Sequence, residues 1–187
     1  KHALFYLKER GVTVADILKH QIGYCETGLY ADRIIIPSFD AINKLNYFIS
    51  RAFLENMRPY TNPPVSKNVV GFESLIVWKY PIVIVEGVFD AIAVKRNAIP
   101  LFGKTLSASL KAALLEHKVS EVYLAIDTDA LKEAVKIAEE LIVNNIQVYY
   151  VELEGKDPSS IGFEAVTRQI KLAEKLSFTK LVDLKMQ

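Results

Sequence analysis

Five acids stand where side chains from separate segments could meet. Glu86 closes the apolar run I-V-I-V at 82–85 and Asp90 follows one helical turn later, while Asp127 and Asp129 come directly after V-Y-L-A-I at 122–126. Asp157 lies in G-K-D-P-S-S at 155–160. While the chain stays extended, the two-residue spacing of Asp127 and Asp129 points both carboxylates to the same side. Ionised carboxylates brought together repel, and a cation relieves that repulsion. A set made only of carboxylate oxygens suits a hard divalent ion, Mg²⁺ (or Mn²⁺), which keeps several waters and works beside substrate phosphates. Each acid also has a plainer reading: Glu86 and Asp90 as acids at a helix start, Asp127 as a strand end, Asp129 as an N-cap, Asp157-Pro158 as a turn. It is their coincidence on one edge that favours the metal.

For the acids to coincide, the runs that precede them must be parallel neighbours in one sheet. The four β-branched residues at 82–85 lack polar alternation, the habit of a strand buried on both faces. From residue 80 onward strands at 82–86, 99–102, 121–126 and 146–153 alternate with helices predicted near 89–96, 107–117, 129–144 and 162–176. Leu131, Ala134, Val135, Ala138, Leu141 and Ile142 form the apolar stripe of the third helix. This succession predicts a parallel sheet with right-handed crossovers, whose carboxyl edge is where ligands bind.

Residues 1–79 read differently. Two short helices meet at Gly11, with Thr13 as N-cap of the second, and Arg33–Pro37 and Leu45–Ile49 form a hairpin turning near Asn43-Lys44. Residues 55–68 carry Pro59, Pro63 and Pro64, three of the seven prolines, which marks a loop between two subdomains at 1–79 and 80–187.

The chain of 187 residues is 51% hydrophobic and 24% charged, with a net charge of +1. That balance divides: residues 1–80 hold 10 Lys/Arg against 7 Asp/Glu, and residues 81–187 hold 13 against 15. The acidic half contains the candidate site, beside a basic half suited to phosphates. No apolar run approaches the roughly 20 residues of a membrane span, and these residues contain no charged-then-apolar stretch ending at a small-residue cleavage site. The single Cys25 excludes an internal disulfide and a zinc site built on several cysteines; it fits a reducing, cytoplasmic compartment.

Three segments, V-E-G-V-F-D-A-I-A at 85–93, I-D-T-D at 126–129 and K-D-P-S at 156–159, resemble the motifs of the Toprim fold shared by DnaG-type primases, topoisomerases and some nucleases. The upstream half narrows the resemblance to bacterial and phage-type primases. R-I-I-I-P-S-F-D-A-I-N-K-L-N-Y-F-I-S-R-A-F at 33–53 is similar to their segment of an Arg, a strand ending in Pro, a hairpin and a second Arg, and P-Y-T-N-P-P at 59–64 to their Tyr-x-Asn-Ser-Pro. Lys67, V-G-F at 70–72 and G-K-T-L-S at 103–107 continue the match in the family's order. The resemblance implies a Toprim α/β subdomain, a Rossmann-like and mainly parallel sheet flanked by helices, behind a small mixed α+β subdomain. It implies synthesis of short RNA primers from NTPs on single-stranded DNA, with Glu86, Asp127 and Asp129 as catalytic metal ligands and Asp90 and Asp157 as further acids at the metal. Arg33, Arg51 and Lys67, with Arg58 and Lys104, are then the expected nucleotide and template contacts. A replicative helicase and a zinc-binding domain are the expected partners outside this chain.

The departures are specific. The glycine after Asp-x-Asp is replaced by Ala130, so the turn there must differ; Ser159 stands where many members carry another acid; and Pro59 replaces the lysine before Tyr-x-Asn. Two other readings share the acids: a Toprim nuclease or topoisomerase-like module, and a non-catalytic nucleotide or nucleic-acid binding protein. For Tyr47, Tyr60 and Phe72, packing is preferred over base stacking, and Trp78 reads as packing between the halves.

Overall fold

The computed structural model describes residues 2–186. Helices α1 (His2–Glu9) and α2 (Val14–Lys19) open the chain. Thr13 caps α2 as expected, its hydroxyl accepting the Asp16 N–H while Asp16 Oδ2 accepts the Thr13 N–H. Three antiparallel strands follow in the order β1 (Gly23–Cys25), β2 (Arg33–Phe39), β3 (Leu45–Ala52). Asp40 Oδ1 closes the hairpin by accepting the N–H groups of Ile42 and Lys44, and Asn43 takes the left-handed conformation the turn needs. Residues 55–68 form no helix or strand, and Tyr60 touches the sheet through one bridge to Arg51.

The remainder alternates strand and helix: β4 (Ile82–Val85), α3 (Val88–Val94), β5 (Ala98–Pro100), α4 (Ala108–Glu116), β6 (Glu121–Ala125), α5 (Leu131–Val143), β7 (Gln147–Tyr150), α6 (Pro158–Leu172), β8 (Glu174–Lys175) and α7 (Phe178–Met186). The five strands lie in the order β5-β4-β6-β7-β8; all neighbours are parallel except β7 and β8. All four residues of β4 are buried, because its two faces feed two apolar clusters. Ile82 and Ile84 pack with Leu110, Leu114, Ala138 and Leu141 of α4 and α5. Val83 and Val85 pack with Phe89 and Ile92 of α3, Val166 and Ile170 of α6, and also with Leu7, Ile34, Ile36, Tyr47 and Phe72 of the first half. The antiparallel sheet therefore shares one face's core with the parallel sheet. No helix among the described residues is long and apolar enough to cross a membrane.

The end of the chain departs from the periodicity. In place of one helix at 162–176, α6 begins at Pro158, breaks at Gly162 where φ is +80°, and ends at Leu172. Asp157 supplies the N-cap and Pro158 the first helical position, a start signal that outweighs the later apolar spacing. The strand expected at 146–153 pairs only over Gln147–Tyr150, and β8 and α7 complete the sheet edge beyond it. In α5 the buried stripe uses Ile137, while Ile142 near the helix end is 36% exposed.

Candidate active site

The parallel register brings the acids to one edge. Val85 of β4 sits opposite Ala125 of β6, so Glu86 and Asp127 leave the sheet side by side at its carboxyl end. A single 3-10 turn, Thr128–Ala130, carries Asp129 and delivers the fully buried Ala130 to the start of α5. This turn is how the chain manages without a glycine after Asp-x-Asp. Carboxylate oxygens of Glu86, Asp127 and Asp129 all lie within 4.8 Å of one another.

Two of these oxygens, Glu86 Oε2 and Asp127 Oδ1, are buried with no hydrogen-bond partner. Leaving such atoms unpaired is costly in a folded protein. Burial, reinforced by the neighbouring Asp127, pushes the Glu86 carboxyl up to about 7; burial and the charges of Asp157 and Asp129 push Asp127 upward too. Lys104 offsets part of this, with its Nζ 3.4 Å from Asp129 Oδ1, but both side chains are well exposed and the pairing is weak. Three carboxylates of like charge, two of them with a partnerless oxygen, fit a divalent cation and fit poorly without one.

Asp90 and Asp157 lie outside that triad. Asp90 is buried, and each of its oxygens is already used: Oδ2 accepts the Gly87 N–H at 3.1 Å, and Oδ1 the Ser159 N–H at 3.0 Å. Burial raises its carboxyl to about 6 against the lowering effect of the Ser159 N–H. Gly87 is a glycine because a Cβ there would sit 2.8 Å from Asp90 Oδ2. Asp157 caps α6, with Oδ1 accepting the Ser160 N–H and the Ser159 hydroxyl, both at 2.8 Å.

The basic candidates separate into inner and outer groups. Arg33 is only 5% exposed; its Nη2 donates to the Arg58 carbonyl at 2.9 Å and its Nη1 is buried without a partner. Arg51 is half-buried, donating from Nε to the Tyr6 hydroxyl at 2.7 Å, with its guanidinium over the rings of Tyr60 and Tyr6. Arg58, Lys67 and Lys104 are exposed, and Lys67 Nζ donates to the Phe102 carbonyl at 2.7 Å. A cavity of about 230 Å³ lined by Glu86, Gly87, Tyr60, Asn62 and Phe102 adjoins one of about 330 Å³ lined by Arg58, Tyr60, Asn62 and Lys67. Tyr60 and Asn62 belong to both, so a groove leads from Glu86 to the exposed bases Arg58 and Lys67.

Asn62 and Tyr6 were not among the sequence candidates. Asn62 was visible only as the third residue of Y-T-N, and the pairing of Tyr6 with Arg51 left no local trace. Tyr47 and Phe72 are core residues as expected, whereas Tyr60 is 41% exposed on the groove wall. Trp78 stacks on His117 with ring centroids 4.4 Å apart.

No protein-family model matches the chain. It is 32% identical over 138 residues to the uncharacterized protein MG010 of Mycoplasma genitalium, an alignment covering 68% of this chain and 62% of that one. It is 30% identical over 162 residues to the MG010 homolog of Mycoplasma pneumoniae, covering 81% and 76%. The chain thus spans somewhat less than two thirds of the M. genitalium protein. Among solved structures it is similar to a DnaG primase catalytic domain bound to ssDNA, with a TM-score of 0.82 at 17% identity over 100% of this chain and 75% of that one. It is also similar to the Aquifex aeolicus primase zinc-binding and RNA polymerase domains (0.79, 22%, covering 94% and 57%) and to the E. coli primase catalytic core (0.77, 16%, covering 100% and 77%). Register, acidic edge and these likenesses agree: the chain belongs to the family of the mycoplasmal protein MG010, and its fold is that of the DnaG-type primase catalytic core with its Toprim sheet.

Proposed function

We propose that the chain is a primase catalytic core that makes short RNA primers from NTPs on single-stranded DNA, in replication. One observation carries the reading: the Glu86, Asp127 and Asp129 carboxylates converge at the head of a groove whose far wall bears Arg58 and Lys67. A divalent cation, Mg²⁺ or Mn²⁺, held by that triad would neutralise charge on the transferring phosphates and assist attack by a primer 3′-hydroxyl. The rest falls to the chain's own groups. Glu86 and Asp127 stay in place because strand ends hold them. Lys104, beside Asp129 and exposed, offers positive charge to a triphosphate, and Arg58 and Lys67 attract the template backbone. The exposed ring of Tyr60, backed by Arg51, gives a base or sugar a flat surface in the groove. The two units at 1–79 and 80–187 divide the work between phosphate attraction and metal. A helicase and a zinc-binding template reader would come from outside these residues, in the cytoplasm.

The test is incubation with single-stranded template, labelled NTPs and Mg²⁺ or Mn²⁺. Short RNA is expected with the wild-type chain and is lost in Asp127→Ala; product that persists in that variant refutes the mechanism. Cleavage of labelled DNA without NTPs would identify a nuclease, and binding of NTP or DNA with neither product would identify a binding module.

A further inference from the structure

Ser159 touches both acids that stand outside the triad. Its N–H donates to Asp90 Oδ1 at 3.0 Å and its hydroxyl to Asp157 Oδ1 at 2.8 Å. Asp90 in turn holds the Gly87 N–H, next to Glu86, and the Lys156 carbonyl accepts the Thr128 N–H at 3.0 Å, between Asp127 and Asp129. One chain of bonds thus ties together the β4–α3 turn, the β7–α6 loop and the 3-10 turn, the three segments whose relative placement sets the triad. The break at Gly162 separates the short turn bearing Ser159 from the rest of α6, so this turn is aimed independently of the long helix axis. Both Asp90 oxygens accept backbone N–H groups, and if that buried carboxylate moved to a cation the freed Gly87 and Ser159 donors would have little else to meet; Asp157 uses Oδ1 alone, which holds the Ser159 hydroxyl and the Ser160 N–H of the helix cap.

We propose that Ser159 is a positioning residue that fixes Asp90 and Asp157 as struts, and that the site takes one divalent cation, on Glu86, Asp127 and Asp129 alone. This rests on the metal-site reading above. Asp90 restrains the β4–α3 turn that bears Glu86, and Asp157 restrains the β7–α6 loop whose Lys156 carbonyl holds the turn bearing Asp127 and Asp129, so the triad is held ready before the cation arrives.

Mn²⁺ binding by the intact chain, followed by electron paramagnetic resonance of the free ion, gives the count, and amide hydrogen exchange at Ser159 and Gly87 with and without Mg²⁺ reports the struts. One Mn²⁺ per chain is expected, with Ser159 and Gly87 protection unchanged by Mg²⁺. Asp157→Asn and Ser159→Ala should keep the count at one while lowering Tm, and Asp127→Asn should weaken Mn²⁺ at least about tenfold. Asp90→Asn should lose Ser159 protection; if it does not fold, the other variants and the wild-type exchange decide. Two Mn²⁺ per chain with the second lost in Asp157→Asn, or Ser159 protection that falls when Mg²⁺ binds, overturns the strut assignment while leaving the metal site intact. No Mn²⁺ bound by a folded chain overturns both.

Discussion

The acidic edge and the basic half fulfil their sequence expectations in opposite ways. At the edge, charge that looks functional is poorly satisfied by the protein: Glu86 Oε2 and Asp127 Oδ1 are buried without partners, and both carboxyls are pushed upward. In the basic half, the two arginines that best match the primase pattern are turned largely inward, Arg33 to the Arg58 carbonyl and Arg51 to Tyr6 and Tyr60. The outward charge there belongs to Arg58 and Lys67, joined from the acidic half by Lys104. Crowded like charges with partnerless oxygens suit a cation, whereas Arg33 and Arg51, each bonded within the fold, shape the wall around the groove even though Arg33 Nη1 has no partner. The largest effect should therefore come from the edge. Asp127→Asn is expected to lower primer synthesis on the order of 100-fold or more, while raising Tm in EDTA because it removes one of three crowded charges. A variant that melts earlier without losing activity would break the contrast.

The two regions should also respond to pH with opposite signs. Burial, with the charge of Lys19, lowers His20 to about 4 in the folded chain from an ordinary 6.5. Between those values the unfolded chain binds more protons, so this stability is complete above about 6.5 and is lost as pH falls toward 4, on the order of 3 kcal/mol in all. Glu86 and Asp90 are raised, to about 7 and about 6. Here the folded chain binds more protons, so their contribution to the metal-free protein is complete below the unfolded values near 4 and is lost as pH rises through 6 to 7. The two windows overlap, so in melting in EDTA from pH 4 to 8 Glu86→Gln should remove a contribution that falls with pH and His20→Leu one that rises with pH, changing the slope of stability against pH in opposite directions. Parallel shifts in both variants would remove the distinction.

How much of this was legible follows the same division. The apolar runs ending at Val85 and Ile126 fixed where strands stop, and parallel pairing then dictated that Glu86 and Asp127 meet. What the spacing left open was whether Asp90 and Asp157 join them. That depends on backbone N–H groups of Gly87, Ser159 and Ser160, and backbone donors have no letter in a sequence. The resemblance alone makes Arg33 and Arg51 nucleotide and template contacts, and no local pattern shows that Arg33 lies against the loop at Arg58, 25 positions away. Local patterns likewise missed β8 and α7, since a two-residue antiparallel strand has no period to detect.

Arg51 supplies a test of intermediate size. It links Tyr6 of α1 to Tyr60 of the groove wall, so Arg51→Leu should cost about 1–2 kcal/mol through one hydrogen bond and two cation–π contacts. Tyr6→Phe removes only the hydroxyl and should cost about 1 kcal/mol. Both should lower urea midpoints; an Arg51→Leu chain of unchanged stability with weakened template binding would return Arg51 to the outward group.

The smallest expected effect is the sharpest discriminator between inner and outer bases. A side chain that neutralises one phosphate releases about one counterion, so its removal should reduce the slope of log affinity against log salt by about 1. Template affinity measured over a salt series should therefore show that loss for Arg58→Ala and again for Lys67→Ala, with little change in Tm for the exposed Arg58 and a small decrease for Lys67, whose Nζ also donates to the Phe102 carbonyl. Arg33→Met should leave the slope unaltered, since an arginine only 5% exposed cannot be displacing counterions in the free protein. Its effect falls on stability, where the lost bond to the Arg58 carbonyl opposes the gain from removing a buried charge with an unpartnered Nη1, and the balance should be near zero. A lowered slope in Arg33→Met would mean that the loop at 55–68 lifts away when template binds, exposing a charge that the free chain keeps covered.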